Sequence, residues 1–431
     1  MIDPRVFRDA EAFAAARARL ARRGMGPDLD ALLEELRGQA DRRRRAIAEA
    51  DALKGEQNAK SREVGERKKR GEDASALLAE LSGLSARAGA AESTARAADD
   101  AFAERLHYVP NLPADDVPAG DATHNEIVRG WGEPAPAEPW RKPHWDIAKD
   151  LGLIDFERGA KLSGSGFPLY VGLGARLERA LVSYLLQLQA VEHGYTEVSP
   201  PLLVSRETMT GTGQLPKFEE DLYRTVTEDL FLIPTAEVPV TNMHRGEIFQ
   251  AEDLPRRYVA YTPCFRREAG AHGADTRGIL RVHQFDKVEL VWFTTPEASL
   301  AAHEELTRHA EIALQRLGIA YRVVRIAAGD MGFANHRQYD LEAWAPGVGK
   351  WLEVSSCSTY ADFQARRMDV RFRPARNAKP EFVHTLNGSA LGMARTLIAV
   401  LETFQEPDGT VRVPPALVPL MGTDRLGRGA A

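Results

Sequence analysis

Phe265-Arg266-Arg267-Glu268, a loop over Ala269–Gly278 with three glycines, and then Arg281-Val282-His283-Gln284-Phe285-Asp286-Lys287-Val288-Glu289 form the stretch that decides the reading. In an extended strand alternate residues share a face, so Arg281, His283, Phe285, Lys287 and Glu289 fall on one side. That side is too polar for a core, yet it carries a phenylalanine in its middle. Four residues of strand separate Phe285 from Glu289 by roughly 13 Å. The span suits a ligand with an aromatic base at one end and an ammonium at the other, as in an aminoacyl-adenylate. Arg266 and Glu268 also share a face, placing a bidentate phosphate donor beside an acceptor for an exocyclic amine. A solvated hairpin with one incidental aromatic accounts for Arg266 and Glu268 but not for the whole set.

Around this hairpin the pattern alternates between types. Strand-like runs fall at Asp229–Ile233, Arg256–Phe265, Val282–Phe293 and Tyr321–Ile326, with helices around Arg176–Glu192 and Pro296–Leu317 and another beginning near Ala390. Runs of strands with few crossover helices predict an α+β domain with an antiparallel sheet flanked by helices, spanning 144–431. Pro- and Gly-rich sequence over 111–143 reads as a linker.

The first 110 residues read differently. From Leu29 to Leu106 there is no proline, and Ala, Arg, Glu and Leu dominate. One heptad seam runs Leu29, Leu33, Leu36, Ala40, Arg43, Ile47, Ala50, Lys54, Gln57, Ser61 and Val64. A second runs Leu77, Leu81, Leu84, Ala88, Ala91, Ala95, Ala98 and Phe102. Between them Lys68-Lys69-Arg70-Gly71-Glu72-Asp73 is a charged break with a glycine for a helix end. The seams predict a long antiparallel helical hairpin, a coiled coil of about 35 residues per helix and on the order of 50 Å long.

Composition narrows the class. The 431 residues carry a net charge of −6, 44% hydrophobic and 27% charged residues, which describes an ordinary globular protein with no global attraction to nucleic acid. Two distant cysteines, Cys264 and Cys357, build neither a disulfide framework nor a zinc cluster, so no structural zinc is expected. No signal-like start and no run of 18 apolar residues argue for export or membrane insertion, and a reducing, cytoplasmic setting fits.

With these motifs in place, the chain resembles the class II aminoacyl-tRNA synthetases, and specifically the bacterial-type seryl-tRNA synthetases. Phe265–Glu289 is similar to the family's motif 2, and Gly194-Tyr195 through Pro201-Leu202-Leu203 is similar to motif 1. Asn387-Gly388-Ser389-Ala390-Leu391-Gly392-Met393-Ala394-Arg395 is similar to motif 3. Taken as a helix, motif 3 puts Gly388, Gly392 and Arg395 on one face, close to a sheet or ligand.

The resemblance implies ATP and L-serine as substrates, Mg²⁺ as the metal, and a homodimer formed through motif 1. It implies that Arg266 binds the α-phosphate and Arg395 the γ-phosphate, that Phe285 and Arg395 sandwich the adenine, and that Arg267, Glu268 and Val282 complete the ATP contacts. Thr235-Ala236-Glu237, Glu289 and Ser389 would form the serine pocket. Glu353-Val354-Ser355-Ser356 would meet ATP, with Glu353 and Ser356 on the metal. Strict alternation puts those two on opposite faces, so a bulge or turn at Ser355-Ser356 is expected. Arg267 and His272 depart from the residues common in the family at those positions.

The arm supplies a local basic patch. Between Asp41 and Glu72 there are eleven Lys or Arg against seven Asp or Glu. Arg62, Arg67, Lys68, Lys69 and Arg70 are placed to meet RNA phosphates. The resemblance implies that the arm holds tRNA(Ser), and tRNA(Sec) where one is present.

Overall fold

A computed structural model of the chain describes residues 1–427 apart from Met25, Ala137 and 269–276, so His272 lies outside the described residues. The chain divides into two compact units, one of Ile2–Ala21 with Met25–Pro110, the other of Met1, Arg22–Gly24 and Asn111–Ala431.

The smaller unit is built on three helices, α1 (Ala10–Ala21), α2 (Pro27–Lys69) and α3 (Ser75–Leu106). Helix α2 starts with proline at its first position and Asp28 and Asp30 in its first turn, and ends with Arg67, Lys68 and Lys69 in its last, so both ends match the macrodipole. Gly71, at φ 73°, supplies the left-handed residue of the turn. The 43 residues of α2 extend roughly 65 Å at ~1.5 Å per residue, longer than the expected arm.

Every residue of the second seam is buried or half-buried. The first seam holds as far as Ala50 and again at Gln57 and Val64, but Lys54 and Ser61 are exposed, and Leu53 and Lys60 are half-buried in their place. There the apolar stripe has given way to polar cross-links, with Lys60 Nζ 2.6 Å from Glu80 and Gln57 donating to Ser85 at 2.8 Å. Lys54, outside the seam, reaches Glu92 at 2.9 Å.

The larger unit is organised by an eight-stranded sheet. Its strands are β1 (Glu126–Trp131), β2 (Thr196–Glu197), β3 (Arg256–Phe265), β4 (Gln284–Thr294), β5 (Tyr321–Arg325), β6 (Arg337–Ala345), β7 (Lys350–Ala361) and β8 (His384–Gly392), in the order β1-β5-β6-β7-β8-β4-β3-β2. All neighbours are antiparallel except β2 and β3, which run parallel, so the sheet is mixed at one edge. Strand β1 comes from the stretch read as a linker.

Helices α4 (Leu173–Gln187), α5 (Ser299–Leu317) and α6 (Met393–Thr403) contribute to one apolar core with the sheet. Leu177 and Leu181, Leu306 and Leu314, and Leu397 and Leu401 meet Leu290, Trp292, Leu341, Cys357 and Leu386 there.

Motif 3 corrects the sequence reading. Gly388 is not on a helix with Gly392 and Arg395 but in the middle of β8, and the helix begins only at Met393. The close approach is real but has another partner. A Cβ at Gly388 would collide with the Leu306 side chain of α5 and lie 2.8 Å from Cys357 Sγ. Overpacking of this kind costs about 1–3 kcal/mol, so Gly388→Ala should lower stability by that order in reversible thermal or urea unfolding.

Candidate active site

The sheet face opposite helices α4–α6 carries a cavity of about 490 Å³. Strand β4 explains why one face is polar and the other dry. Val288, Leu290 and Trp292 enter the core, while Phe285, Lys287 and Glu289 line the cavity. The expected face therefore holds from Phe285 to Glu289. Arg281 also lines the cavity, where its Nη1 meets Glu268 at 2.9 Å. His283 does not. It precedes the strand, hydrogen-bonds the carbonyl of Arg266 at 3.0 Å and packs against Phe167.

One end of the cavity is built for anions and an aromatic ring. Arg266 follows the last residue of β3, with its guanidinium 5.1 Å from the centre of the Phe285 ring and its Nε donating to Pro234 O at 3.3 Å. Arg395, in the first turn of α6, donates to the carbonyls of Glu353 at 2.9 Å and Leu280 at 3.3 Å, and lies 3.4 Å from the Glu353 carboxylate. Val282 lines the cavity near them. So does Glu268, held at φ 50°, a backbone conformation that costs free energy and gathers at functional sites. Arg267 points elsewhere, donating to the carbonyl of Glu220 at 3.0 Å. It is not a lining residue.

The other end is buried and acidic. Glu289, 2% exposed, accepts from Lys287 Nζ at 2.8 Å and from Ser389 Oγ at 3.1 Å. The last bond follows from register, because Ser389 of β8 sits directly opposite Glu289 of β4. Thr235 precedes a short helix, Glu237–Asn242. Its hydroxyl accepts from Lys287 Nζ at 2.8 Å and from the Glu237 amide at 3.2 Å. Ala236 is wholly buried in an apolar cluster with Val240, Val291 and Phe293 and does not line the cavity. Burial and the neighbouring Glu289 push the Glu237 carboxyl up to about 7, against hydrogen bonds from Gln364 and Asn387.

Glu353, Val354, Ser355 and Ser356 all line the cavity, and a bulge resolves the problem of their alternation. It falls at Val354 and not at Ser355-Ser356. Ser355 pairs with Leu341 and Glu353 with Glu342, which leaves Val354 as the extra residue. Ser356 is then opposite Asp340 and Glu353 opposite Glu342, two positions apart on β6, so Glu353 and Ser356 share a face. Burial and the nearby Glu353 push the Asp340 carboxyl well above the usual range.

Sequence reasoning assigned no role to Asp340, Gln364 or Tyr360. Gln364 reaches Glu237 at 2.6 Å, and the Tyr360 hydroxyl donates to Asn387 at 3.0 Å. Neither lies in a recognisable motif; Tyr360 comes in on β7 and Gln364 on the short helix Phe363–Met368 that follows it. No group of three or more His, Cys, Asp or Glu able to hold a metal occurs among the described residues.

The basic residues of the arm form a second surface, in the other unit. Arg62, Lys68, Lys69 and Arg70 are exposed and Arg67 is half-buried, with Arg67 3.1 Å from Glu63 and Arg70 3.1 Å from Glu72.

The pairing of two acids predicts a titration. With Glu289→Gln, the Glu237 midpoint should fall below about 7, because the repulsion goes and Lys287 is freed to face it. Carboxyl ¹³C NMR with labelled glutamate, assigned by comparison with Glu237→Gln, measures this directly.

Comparison with known proteins agrees over the whole length. Residues 1–113 match the seryl-tRNA synthetase N-terminal domain, and residues 217–404 match the class II tRNA synthetase core domain (G, H, P, S and T). A serine–tRNA ligase of Gemmatimonas aurantiaca is 52% identical over 422 residues, 98% of this chain and 99% of its own. Among solved structures, the seryl-tRNA synthetase of Pyrococcus horikoshii complexed with ATP superposes with a TM-score of 0.91 at 37% identity, covering 99% of this chain and 100% of that one. The cytoplasmic serine–tRNA ligase of Naegleria fowleri in complex with AMP gives a TM-score of 0.87 at 30% identity, covering 100% of this chain and 99% of that one. The chain belongs to the seryl-tRNA synthetase family of class II aminoacyl-tRNA synthetases.

Proposed function

We propose that the chain condenses L-serine with ATP to seryl-adenylate and then transfers the seryl group to the terminal ribose of tRNA(Ser), and of tRNA(Sec) where one is present. The observation that carries this is the polarity of one cavity. A buried acidic end with Thr235, Glu237, Glu289 and Ser389 faces a cationic, aromatic end with Arg266, Phe285 and Arg395. The acidic end suits the ammonium and hydroxyl of serine; the other suits an adenine and its phosphates.

In the first step the serine carboxylate oxygen attacks the α-phosphorus and the pyrophosphate oxygen leaves. No protein nucleophile is required, so the chain contributes positioning and charge stabilisation. Arg266 takes the charge that grows on the α-phosphoryl oxygens, Arg395 the γ-phosphate, and Phe285 the adenine, with Glu268 and Val282 beside it. In the second step a ribose hydroxyl attacks the seryl carbonyl and AMP leaves.

The oxygen-rich set of Glu353 and Ser356, with the Asp340 carboxyl beside them, fits a hard cation that shares phosphate oxygens. When bound, Mg²⁺ would neutralise phosphate charge there. Exposed Val191, Leu202 and Leu203, within and beside motif 1, support a homodimer through that region. The tip of the arm, 62–70, is assigned to tRNA phosphates, and the cytoplasm is the setting this activity implies.

ATP–pyrophosphate exchange without tRNA tests the adenylation site. Serine should support it, and alanine should fall about 10⁴-fold lower in kcat/KM, because a buried pocket made for a hydroxyl is left unpaired. A stronger signal with another amino acid would refute the pocket assignment. For the arm, Lys68→Ala with Lys69→Ala and Arg70→Ala should raise KM for tRNA roughly tenfold or more at low salt, with exchange unchanged. Loss of exchange would instead mean that the substitutions damaged the other unit.

A further inference from the structure

We infer that Lys287 is a positioning residue of the serine pocket: it cancels one of two buried carboxylates and fixes Thr235, leaving one net negative charge to meet one substrate ammonium. This rests on the serine-pocket reading above. Lys287 is 7% exposed, and its ammonium bridges two lining groups, Thr235 Oγ1 and Glu289 Oε2, each at 2.8 Å. It stands across the sheet from Thr262 of β3 and Gly392 of β8.

A lysine is out of place in a pocket that takes an ammonium, since like charges repel. Charge counting removes the difficulty. Glu237 and Glu289 without Lys287 present two negative charges in a desolvated space, and a buried acid pair answers by binding a proton. A protonated carboxyl is a poor partner for an ammonium. With Lys287 in place the three groups sum to one negative charge, which matches serine's ammonium.

The groups facing this set are few. Arg266 and Cys264 come from the β3 side, Tyr360 and Cys357 from β7, Glu237 from the short helix, and Glu289 from β4 itself. Burial pushes Tyr360 and Cys264 up and Cys357 up to about 12, so all three stay neutral near pH 7. Glu237, pushed up to about 7, titrates there. Its ionised form binds the ammonium, so serine binding weakens as pH falls through about 7. Removing Lys287 removes a charge that lowers the Glu237 midpoint, and the weakening must then begin at higher pH.

The test is serine-dependent ATP–pyrophosphate exchange from pH 6 to 9 with Lys287→Met, a straight chain of similar length without charge. Serine KM should rise roughly 10- to 100-fold, the loss of a charge-assisted hydrogen bond. ATP KM should stay within about twofold, and the acid limb of serine KM should move to higher pH. An unchanged serine KM, or serine and ATP KM rising together with the limb unmoved, overturns the proposal. Should Lys287→Met fail to fold, Lys287→Gln decides. It keeps a donor for Thr235 but no charge, so a limb moved to higher pH supports the inference and a wild-type limb defeats it. Glu289→Gln separates the two layers. If it leaves serine KM unchanged the pocket reading itself fails, whereas a rise there with none in Lys287→Met removes only Lys287.

Discussion

The structure depends on one strand serving two solvents. Strand β4 turns Val288, Leu290 and Trp292 into a dry core and Phe285, Lys287 and Glu289 into a polar cavity, residue by residue. An ionised side chain taken from water without a partner is very costly. The buried acids of the cavity face are therefore held by partners within a few ångströms. Glu289 has Lys287 and Ser389, and Glu237 has the Gln364 amide. The same burial that exacts this pairing makes the paired groups strong ligands, because fixed dipoles in a dry site keep their full effect on a substrate charge.

Strict alternation cannot supply every lining residue, and two of the irregularities in register help to supply the others. Val354 is an extra residue in β7 against β6, and Ala390 is one in β8 against β4. The first brings Glu353 and Ser356 to one face. The second shifts the register of Leu391 and Gly392, after which β8 passes into α6, whose first turn carries Arg395 back over the cavity beside Glu353. Bulges re-aim side chains at the cost of local pairing. Here the two sit on adjacent strands, and Glu353 to Ser356 line the cavity as four consecutive residues.

What could be read from the sequence follows the range of the forces involved. Strand β3 was expected at its observed bounds because its run of β-formers is closed by charged sequence, and the second arm seam was legible because Leu and Ala at heptad spacing leave no alternative face. Phe285, Lys287 and Glu289 were legible as one face for the same reason. Three things were not. Motif 3 looked like a helix because Gly388, Gly392 and Arg395 obey helical spacing, whereas the glycine is demanded by Leu306 and Cys357, residues distant in sequence. The bulge at Val354 depends on register with β6. Tyr360 and Gln364 enter the site only through pairing of β7 with β8 and the turn that follows.

On the proposed assignment of the pocket, selectivity for serine follows from the accounting of buried polar groups. Ser389, Glu289, Thr235, Glu237, Gln364 and Asn387 are all 7% exposed or less. They share a limited set of donors and acceptors, with Lys287 bridging two of them. A substrate hydroxyl joins this set by adding both a donor and an acceptor, so it can satisfy groups on either side. A methyl group occupies similar space and satisfies none, and each buried partner left unmade costs about 1–3 kcal/mol. On that assignment the pocket would reject alanine through its own unpaired atoms. A larger β-substituent meets a wall already packed with side chains that hold one another by hydrogen bonds, which cannot yield singly without breaking the set.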